Sequence, residues 1–472
     1  MKPAIDLTGK RVLVVGLART GIATALFCAA HGANVTASEE RPESEVREAA
    51  EKLRAAGCTL ELGGHTASTF IEQDLIVPSP GVPLDLPLLA APRDAGIPIW
   101  SEIELAWRFL RGRMIAITGS NGKTTTTSLI GHILESAGVP VIVAGNIGTP
   151  LISRVSESSD ATITVTEVSS FQLEGIRDLR PDVGVLLNLT PDHLDRHASF
   201  EAYSRAKARM FENQTERDFA VLNADDANAA QYAPSGPQIY WCSRSKHVSS
   251  GAFLRGEQVV FRRDGTDTVI LSREEIGLRG DHNVENVLAA ACAALLVGAT
   301  PSAVAAGVRT FAGVEHRLEF VAEIAGVNYF NDSKATNVDA TLKALDAFPT
   351  GLLVILGGKD KGSDYGILRK ALRDRARTAL LIGASAEKIE SQLRGAVPVI
   401  HAGTLERAVE IASESARAGE TVLLAPACAS FDQFTSYEHR GRVFKQLVRR
   451  LADVATPGNA KIAAATHAAP KT

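Results

Sequence analysis

The chain has 472 residues, of which 45% are hydrophobic and 22% charged, and its formal net charge is −4. This composition is that of an ordinary globular protein with room for about three domains of roughly 150 residues each. It has no basic excess that would indicate a nucleic-acid partner. No apolar run reaches the ~18 residues of a membrane span, and the cysteines lack a CxxC spacing. We therefore expect a cytoplasmic protein with reduced thiols and no membrane partner.

Short apolar runs alternate with helical segments along the chain, which predicts parallel α/β sheets. The first run ends at Gly16 in "VVGLARTG" and is similar to a dinucleotide-binding turn, but Ala18 replaces the middle glycine of that pattern. This disfavours NAD binding. Ser38 and Glu39 end the next strand, and "DLIVPSPGVP" is a further strand that ends in a Pro/Gly turn. Strand ends of this kind are where doubly wound sheets bind ligands.

A glycine-rich loop follows the first strand of the second group: "ITGSNGKTTTT" spans Ile117 to Thr127. It is shorter than the Walker loop G-x-x-x-x-G-K-[ST], because only two residues separate its glycines. Backbone N–H groups at a helix start favour a bound anion, a lysine neutralises phosphate oxygens, and hydroxyls ligate Mg²⁺. A plain strand-to-helix turn is the less favoured alternative. The predicted nucleotide site comprises Gly119, Ser120, Asn121, Gly122, Lys123, Thr124 and Thr125.

Ionisable residues accompany the next strands of this group. Glu167 lies inside "ITVTEVSSF", where a charge is costly unless it is paired or binds a metal. "NLTPDHLDRH" places His193 close to a strand end, where an imidazole can bind a divalent metal or steer a proton. Asp195 and His197 are interpreted as parts of a solvated loop.

The predicted helix "SFEAYSRAKARMFEN" carries a lysine on its apolar face. Phe200, Tyr203, Met210 and Phe211 follow helical spacing, and Lys207 lies on the same side. Such a lysine either extends its ammonium group into solvent or reaches into a site. Periodicity does not decide between these two interpretations.

Three strand ends of the third group present cationic and hydroxyl side chains, in "NDSKATN", "GGKDKGSD" and "ACASFDQFTSYEHRG". Loops at the carboxyl ends of parallel strands tend to form one ligand site. Cationic and hydroxyl groups there favour an anionic ligand. The predicted rim comprises Lys334, Lys361, Ser430 and Tyr437.

Taken in order, these motifs resemble those of the Mur ligases, which use ATP to add amino acids to the peptidoglycan precursor. The similarity rests on "TGSNGKTTTT", "VSSFQLE", "NLTPDHLDRH", "GDHNVENVLAA", "EHRLE" and "NDSKATN", and it runs from Val12 to about Leu451. "VPSPGVP" and "APACASFDQF" resemble the branch that adds D-glutamate to UDP-N-acetylmuramoyl-L-alanine, and the D-N-P-R box of the diaminopimelate-adding branch is missing. The resemblance implies amide synthesis through an acyl phosphate by a monomer with these two small-molecule substrates.

The resemblance also implies an α/β fold of three domains. These are a Rossmann-like UDP-binding domain over 1–100, a central P-loop ATPase-like parallel-sheet domain that binds ATP over 101–313, and a C-terminal Rossmann-like amino-acid-binding domain over 314–455. The Ala/Pro/Thr-rich tail, 456–472, is expected to be disordered.

The catalytic residues implied by the resemblance are Lys123, His193 and Lys207. ATP and two Mg²⁺ ions are the implied cofactors. Thr124 and Glu167 would serve one ion, whereas His193 and Lys207 would belong to the site of the other. The family's lysine at this position is carbamylated, and a carbamate supplies an anionic oxygen where a bare ammonium would repel the ion.

The remaining implied contacts are with the three substrates. Those with the nucleotide, besides the glycine-rich loop, are Asn286, Arg317 and Asp332. Those with the UDP-linked substrate are Arg19, Thr20, Ser79, Pro80 and Asn146. Those with the carboxylates of D-glutamate are Thr336, Lys361, Ser430 and Tyr437.

Two regions depart from the family pattern. Ser38, Glu39 and Glu40 stand where its first domain often carries Asp and Arg, which leaves the uracil contacts open. Lys359 stands where some relatives have an acid. A folylpolyglutamate-synthase-like ligase is one alternative, although it would not need the "SPGVP" domain. A nucleotide-binding regulator is another, and the Lys/Ser/Tyr rim of the third group argues against it.

Overall fold

The computed structural model describes residues 5–146, 148–193, 196–454 and 460–462. The chain forms two compact units, of which the first comprises Met1–Ile276 with Glu285–Phe311 and the second comprises Gly277–Val284 with Ala312–Thr472. The predicted α/β class is confirmed, since three largely parallel sheets alternate with helices. We find no helix with the length and hydropathy of a membrane span in the described part of the chain.

The first sheet is parallel, with the strand order β3-β2-β1-β4. Its central strand β1 reads RVLVV, and its last four residues are fully buried, as expected for a strand covered on both faces. The strands are β1 (Arg11–Val15), β2 (Asn34–Glu39), β3 (Thr59–Leu62) and β4 (Leu75–Pro78). The helices are α1 (Arg19–Ala30), α2 (Glu43–Ala55), α3 (Ala67–Ile71), α4 (Ala90–Asp94) and α5 (Glu102–Phe109), with a 3₁₀ turn at Pro87–Leu89.

The second sheet has nine strands in the order β13-β12-β11-β10-β9-β8-β5-β7-β6. The strands are β5 (Arg113–Thr118), β6 (Val141–Gly145), β7 (Ile163–Glu167), β8 (Val183–Leu186), β9 (Phe219–Asn223), β10 (Gln238–Ser243), β11 (Gly251–Arg255), β12 (Gln258–Arg263) and β13 (Thr266–Ser272). Strands β11 to β13 form an antiparallel extension that sequence analysis did not predict. The helices are α6 (Lys123–Ser136), α7 (Ser170–Glu174), α8 (Phe200–Ala208), α9 (Ala227–Ala230), α10 (Asp281–Leu296) and α11 (Pro301–Thr310), with 3₁₀ turns at Leu151–Glu157, Arg209–Phe211 and Arg273–Glu275.

The third sheet, in the second unit, has the order β18-β17-β16-β19-β15-β14-β20. The strands are β14 (Glu319–Ile324), β15 (Val327–Asn331), β16 (Leu352–Gly357), β17 (Ala376–Ile382), β18 (Val399–Gly403), β19 (Thr421–Leu424) and β20 (Ala460–Ile462). The helices are α12 (Val338–Asp346), α13 (Arg369–Arg375), α14 (Ala386–Leu393), α15 (Leu405–Ser415) and α16 (Tyr437–Val454), with a 3₁₀ turn at Tyr365–Leu368.

Two features of the packing differ from what the sequence patterns suggest. One hydrophobic cluster joins the first two sheets and contains Val14, Cys28, Trp107 and Ile152. Within the tail that we expected to be disordered, residues 460–462 form β20, which pairs antiparallel with β14. An edge strand presents unpaired backbone groups, and β20 satisfies those of β14.

Candidate active site

The glycine-rich loop connects β5 to α6 in the first unit, as predicted. Gly122 precedes the helix in a left-handed conformation with φ 84°. A Cβ atom at this position would lie 2.2 Å from Oδ1 of Asn286, so the close approach of the α10 side chain requires glycine. The structure therefore brings Asn286, one of the implied nucleotide residues, against the loop.

Side chains from the segment after β8 hold this loop in place. The side chain of Asn188 pairs with the backbone of Asn121 as another peptide group would: its Oδ1 accepts from the N–H at 2.8 Å, and its Nδ2 donates to the carbonyl at 3.0 Å. The Ser120 hydroxyl makes the reciprocal pair with the backbone of Thr190, at 2.9 Å in both directions. Tyr203 Oη lies 3.0 Å from the same hydroxyl. Sequence analysis passed over Asn188, although its position directly after a buried strand was a usable signal.

Lys123, the first residue of α6, lies over the loop itself. Its Nζ donates to the carbonyl oxygens of Gly119 and Ser120, at 2.8 and 2.9 Å. An ammonium group in this position lies next to the backbone N–H groups at the helix start. Together they form a cationic cradle for phosphate oxygens.

The buried carboxylate of Glu167 is paired, as its place inside a strand predicts. Its Oε2 accepts from the Thr124 hydroxyl at 2.7 Å, and its Oε1 accepts from the Asn146 amide at 2.9 Å. Thr125, which follows Thr124 in α6, is also buried. The carboxylate and the hydroxyl form a cluster of hard oxygen ligands, which are the ligands that Mg²⁺ prefers. The cluster lies next to the glycine-rich loop, residues 119–125, which we call the phosphate loop.

Lys207 reaches inward, which decides between the two interpretations of its helical position. The residue is 2% exposed, and its Nζ lies 3.4 Å from Oγ1 of Thr118 and 4.7 Å from the ring centre of Tyr203. Burial, with a smaller repulsion from Lys123, holds the pKa of Lys207 well below its usual range. A lysine in this environment favours the neutral amine, because burial disfavours the charged form.

The segment after β8 contains two histidines, and the position of one of them corrects a prediction. His193 is half-exposed and adopts a left-handed backbone with φ 54°, and its Nε2 lies 3.8 Å from Oδ2 of Asp192. His197 does not lie in a solvated loop: it is buried, with its Nε2 2.9 Å from Oγ of Ser170 and its Nδ1 3.4 Å from Glu174. The sequence does not show that α7 covers it. Asp195 lies outside the described residues.

The first sheet places four of the implied UDP-binding residues in the segments after β1 and β4, whereas Asn146 follows β6 of the second sheet. The Ser79 hydroxyl donates to the carbonyl of Gly16 at 2.7 Å, and Pro80 follows it in the turn. Arg19 begins α1 and donates to the carbonyl of Gly148, the last residue of the "GNIG" segment. Thr20 follows Arg19 in the first turn of α1.

At the end of β2, the structure pairs an acid with an arginine that sequence analysis did not consider. Glu39 accepts from the Leu17 N–H at 2.6 Å, and Arg41 donates to its two carboxylate oxygens, each at 3.0 Å. The hydrogen bonds from Arg41 are the largest cause that lowers the pKa of Glu39, to about 2. Glu40 between them is exposed, and Ser38 instead contacts Glu61 and His65. Sequence analysis omitted Arg41.

In the second unit, a buried guanidinium joins two loops of the predicted rim. Arg440 of α16 is fully buried and donates to the hydroxyl and carbonyl of Ser333, at 3.0 and 2.8 Å, and to the carbonyl of Cys428 at 3.2 Å. The Ser333 hydroxyl in turn donates to the carbonyl of Tyr437 at 2.8 Å. Because its acceptors are carbonyls and a hydroxyl, Arg440 serves as a multi-point connector between segments that are distant in sequence.

Backbone pairs bring the other rim segments together. Ala427 donates to the carbonyl of Ala335 at 2.9 Å, next to Thr336. Lys359 and Ala429 exchange two backbone hydrogen bonds, at 2.8 and 3.1 Å, which places the loop of Lys361 beside Ser430. The ammonium of Lys334 lies 5.2 Å from the ring centre of Tyr437. These contacts bring together the segments that carry the predicted rim residues Lys334, Lys361, Ser430 and Tyr437.

Arg317 and Asp332, the other implied nucleotide residues, lie at the same end of the β14–β15 hairpin in the second unit, just before β14 and just after β15. The residues on either side of Arg317, His316 and Leu318, both have left-handed backbones, with φ 64° and 41°. Leu318 donates its N–H to Oδ1 of Asp332 at 3.2 Å. Burial raises the pKa of Asp332 to about 7.

A cluster of Glu315, His316 and Glu319 has the spacing of a metal site. The ammonium of Lys445 lies 2.6 Å from Oε1 of Glu315 and 2.7 Å from Oε1 of Glu319. A lysine therefore supplies the positive charge in this cluster, and we assign it no metal.

Three family models match the chain: the Mur ligase MurD-like, N-terminal domain over residues 10–101, the Mur ligase middle domain over 117–294 and the Mur ligase, glutamate ligase domain over 316–428. The UDP-N-acetylmuramoylalanine–D-glutamate ligase of Koribacter versatilis is 53% identical over 450 residues, which cover 95% of this chain and 99% of that protein. The ligase of the same name from Acidobacterium capsulatum is 54% identical over 94% of this chain and 97% of that protein.

Solved structures of Mur ligases share the fold. The MurF ligase from Thermotoga maritima in complex with ADP has a TM-score of 0.60 at 16% identity, over 95% of this chain and 98% of that one. The UDP-N-acetylmuramate-alanine ligase MurC from the same organism has a TM-score of 0.58 at 19% identity, over 93% and 99%. Three domain models in the order of the motifs, and relatives of this identity over nearly the full length, lead to one conclusion: the chain belongs to the Mur ligase family.

Proposed function

We propose that this chain is an ATP-dependent ligase that joins D-glutamate to UDP-N-acetylmuramoyl-L-alanine. The observation that carries the proposal is the 53% identity, over 95% of the chain, to a protein named for this activity. The geometry supports it, because the phosphate loop and the cationic rim supply what a nucleotide and an anionic amino acid need. The product is a precursor of peptidoglycan.

The proposed reaction has two steps. A carboxylate oxygen of the alanyl substrate attacks the γ-phosphorus of ATP, ADP leaves, and an acyl phosphate forms. The amine of D-glutamate then attacks the acyl carbon, phosphate leaves, and the nitrogen loses a proton. Phosphoryl transfer depends mainly on positioning and charge neutralisation. Lys123 and the loop N–H groups provide both for the transferred phosphoryl group.

Two Mg²⁺ ions are part of the proposal. Thr124 and Glu167 would hold one, and His193 and Lys207 would hold the other. The ions would neutralise negative charge on the phosphate oxygens. Lys207 would serve as a carbamate, and its burial supports this role because the neutral amine is the form that combines with carbon dioxide.

Each substrate has a proposed set of contacts. Asn286, Arg317 and Asp332 would bind the nucleotide, and Thr336, Lys361, Ser430 and Tyr437 would bind D-glutamate. Arg19, Thr20, Ser79, Pro80 and Asn146 would bind the UDP-linked substrate, and we add Glu39 and Arg41 to this set. We propose domain boundaries at 100, 313 and 455, a monomeric enzyme, and a cytoplasmic location where ATP is available.

Phosphate release and product mass test the proposed function. With Mg²⁺ present, we expect ATP turnover only when UDP-N-acetylmuramoyl-L-alanine is supplied. We expect amide formation when D-glutamate is added as well. L-glutamate and meso-diaminopimelate serve as competing amine donors. Equal turnover with either of them would contradict the assignment of the amino acid.

A Lys207→Ala variant tests the proposed carbamate. We expect activity to fall by about a thousandfold, as for other losses of electrostatic stabilisation in an active site, and to recover partly with a short carboxylic acid. Arg205→Ala is the matched control, because Arg205 lies on the same helix with a side chain that is 70% exposed. An unrescued Lys207→Ala enzyme with full activity would refute the carbamate.

A further inference from the structure

Beneath the rim of the second unit lies a chain of four hydrogen bonds. The Gly358 N–H donates to Oγ of Ser385 at 3.2 Å, and this oxygen lies 3.2 Å from Sγ of Cys428. The sulfur lies 3.0 Å from Oη of Tyr365, which donates to Oδ1 of Asp360 at 2.7 Å. Ser385, Cys428 and Tyr365 are all buried.

The two ends of this chain fix its direction. A backbone N–H only donates, and an ionised carboxylate only accepts. Ser385, Cys428 and Tyr365 each have one proton to donate, so each must accept from the preceding member and donate to the following one. The protons therefore point from Gly358 through the thiol to Asp360. Cys428 is the central member, and its sulfur both donates and accepts.

This series of hydrogen bonds begins and ends in the same loop, residues 357–364, which we call the lysine loop. It joins Gly358 to Asp360 through buried side chains. Asp360 also accepts from the ammonium of Lys388 at 2.6 Å and from the Ser363 N–H at 3.2 Å. Burial alone would raise the pKa of Asp360, but these hydrogen bonds outweigh it and lower the pKa to about 2. Asp360 is held inward, whereas its neighbours Lys359 and Lys361 are exposed.

The same series of hydrogen bonds also contacts the segment that carries Ser430, the second part of the rim. Cys428 is followed by Ala429, which exchanges two backbone hydrogen bonds with Lys359, and then by Ser430. A displacement of the thiol would therefore move the two segments that carry Lys361 and Ser430. A shift of 1 Å in such a segment is enough to weaken binding or catalysis strongly.

We propose that Cys428, Tyr365, Ser385 and Asp360 are positioning residues that set the distance between Lys361 and Ser430 for the carboxylates of the amino-acid substrate. This inference rests on the proposed function, which assigns D-glutamate to the rim. None of the four touches the reacting atoms in the proposed reaction. Their role is to order the lysine loop before the amino acid binds.

Steady-state kinetics with three variants test this role. Cys428→Ala and Tyr365→Phe each remove two hydrogen bonds of the series, and we expect the KM for D-glutamate to rise about tenfold. The KM values for ATP and the UDP-linked substrate should stay within twofold. Cys428→Ser keeps a group that donates and accepts, so it should restore most of the affinity. Cys58→Ala is the control, because it removes a buried thiol just before β3, in the first unit.

Hydrogen exchange of the lysine loop provides a readout independent of ligation. We expect faster exchange in 357–364 for Cys428→Ala and Tyr365→Phe, and wild-type exchange for Cys428→Ser and Cys58→Ala. Wild-type enzyme without D-glutamate-dependent product would overturn the proposed function. A wild-type enzyme that uses D-glutamate, together with unchanged KM and exchange in Cys428→Ala, would overturn the positioning role alone.

Discussion

The phosphate loop of the first unit and the rim of the second are built in opposite ways. Most groups of the phosphate loop come from seven consecutive residues, 119–125, at one strand-to-helix turn. The rim draws on segments near 334, 361, 430 and 437, which meet only because three parallel strands end at the same edge. The first is a local structure that neighbours brace, whereas the second exists only through tertiary contacts.

This difference governs how each region should respond to mutation. The phosphate loop has its chemistry in its own side chains, so a substitution there should remove activity and leave the fold intact. The rim depends on buried connectors such as Arg440, so a substitution beneath it should affect stability and substrate affinity together. The following predictions test this contrast, from the largest expected effect to the smallest.

Lys123→Ala should slow the chemical step strongly without unfolding the first unit. The ammonium group lies within the phosphate loop, and the loss of one such electrostatic group costs about a thousandfold in kcat. Single-turnover phosphate release and the thermal unfolding midpoint measure the two effects. Lys370→Ala is the control, since Lys370 is exposed. An unchanged kcat would contradict the role of Lys123, and a collapsed fold would contradict the local character of the loop.

Arg440→Met should destabilise the second unit and weaken binding of the amino acid. Methionine has a similar volume but leaves the carbonyls of Ser333 and Cys428 without their donor, at a cost of roughly 3 kcal/mol. Urea unfolding and the KM for D-glutamate are the measurements. Arg442→Met, two residues along the same helix, is the comparison variant. If stability fell while the KM stayed constant, the rim would be less dependent on its connectors than we infer.

Glu39→Gln is an intermediate case, because the ion pair of Glu39 with Arg41 is local, whereas its other partner, the N–H of Leu17, comes from another turn. We expect the KM for the UDP-linked substrate to rise about tenfold, the order for one charge-assisted hydrogen bond. Glu40→Gln is the matched control, since Glu40 is adjacent and exposed. Equal kinetics for the two variants would remove Glu39 from the substrate site.

Asp332→Asn should change how the melting temperature depends on pH, by a few degrees. The folded-state pKa of about 7 lies above the usual value of 3.8, so the unfolded chain releases this proton first. The folded state therefore loses stability as pH rises from about 4 to 7, and the asparagine variant lacks this loss. The melting-temperature difference between variant and wild type should grow from pH 5 to 8. In Asp374→Asn, where the ion pair with Lys370 lowers the pKa, the difference should stay flat.

The same contrast explains what could be predicted from the sequence. The phosphate loop, the strand and helix on either side of it, and the strand position of Glu167 follow from apolar runs and short motifs, which are local. Arg440 looked like any basic residue of an amphipathic helix, because its acceptors lie more than ten residues away along the chain. His197 was misassigned for the same reason, since the burial of that residue depends on α7. Lys207 could not be resolved by periodicity and was resolved by its burial.

His193 has a further consequence for laboratory evolution. A non-glycine residue at φ 54° is strained by about 1 kcal/mol or more, and glycine or asparagine would relieve that strain. A selection for heat resistance alone should therefore enrich His193→Gly and His193→Asn, while a selection for growth should remove them. The frequencies of these two variants would rise in the first selection and fall in the second. Sequencing codon 193 would therefore show whether a library is being selected for folding or for turnover.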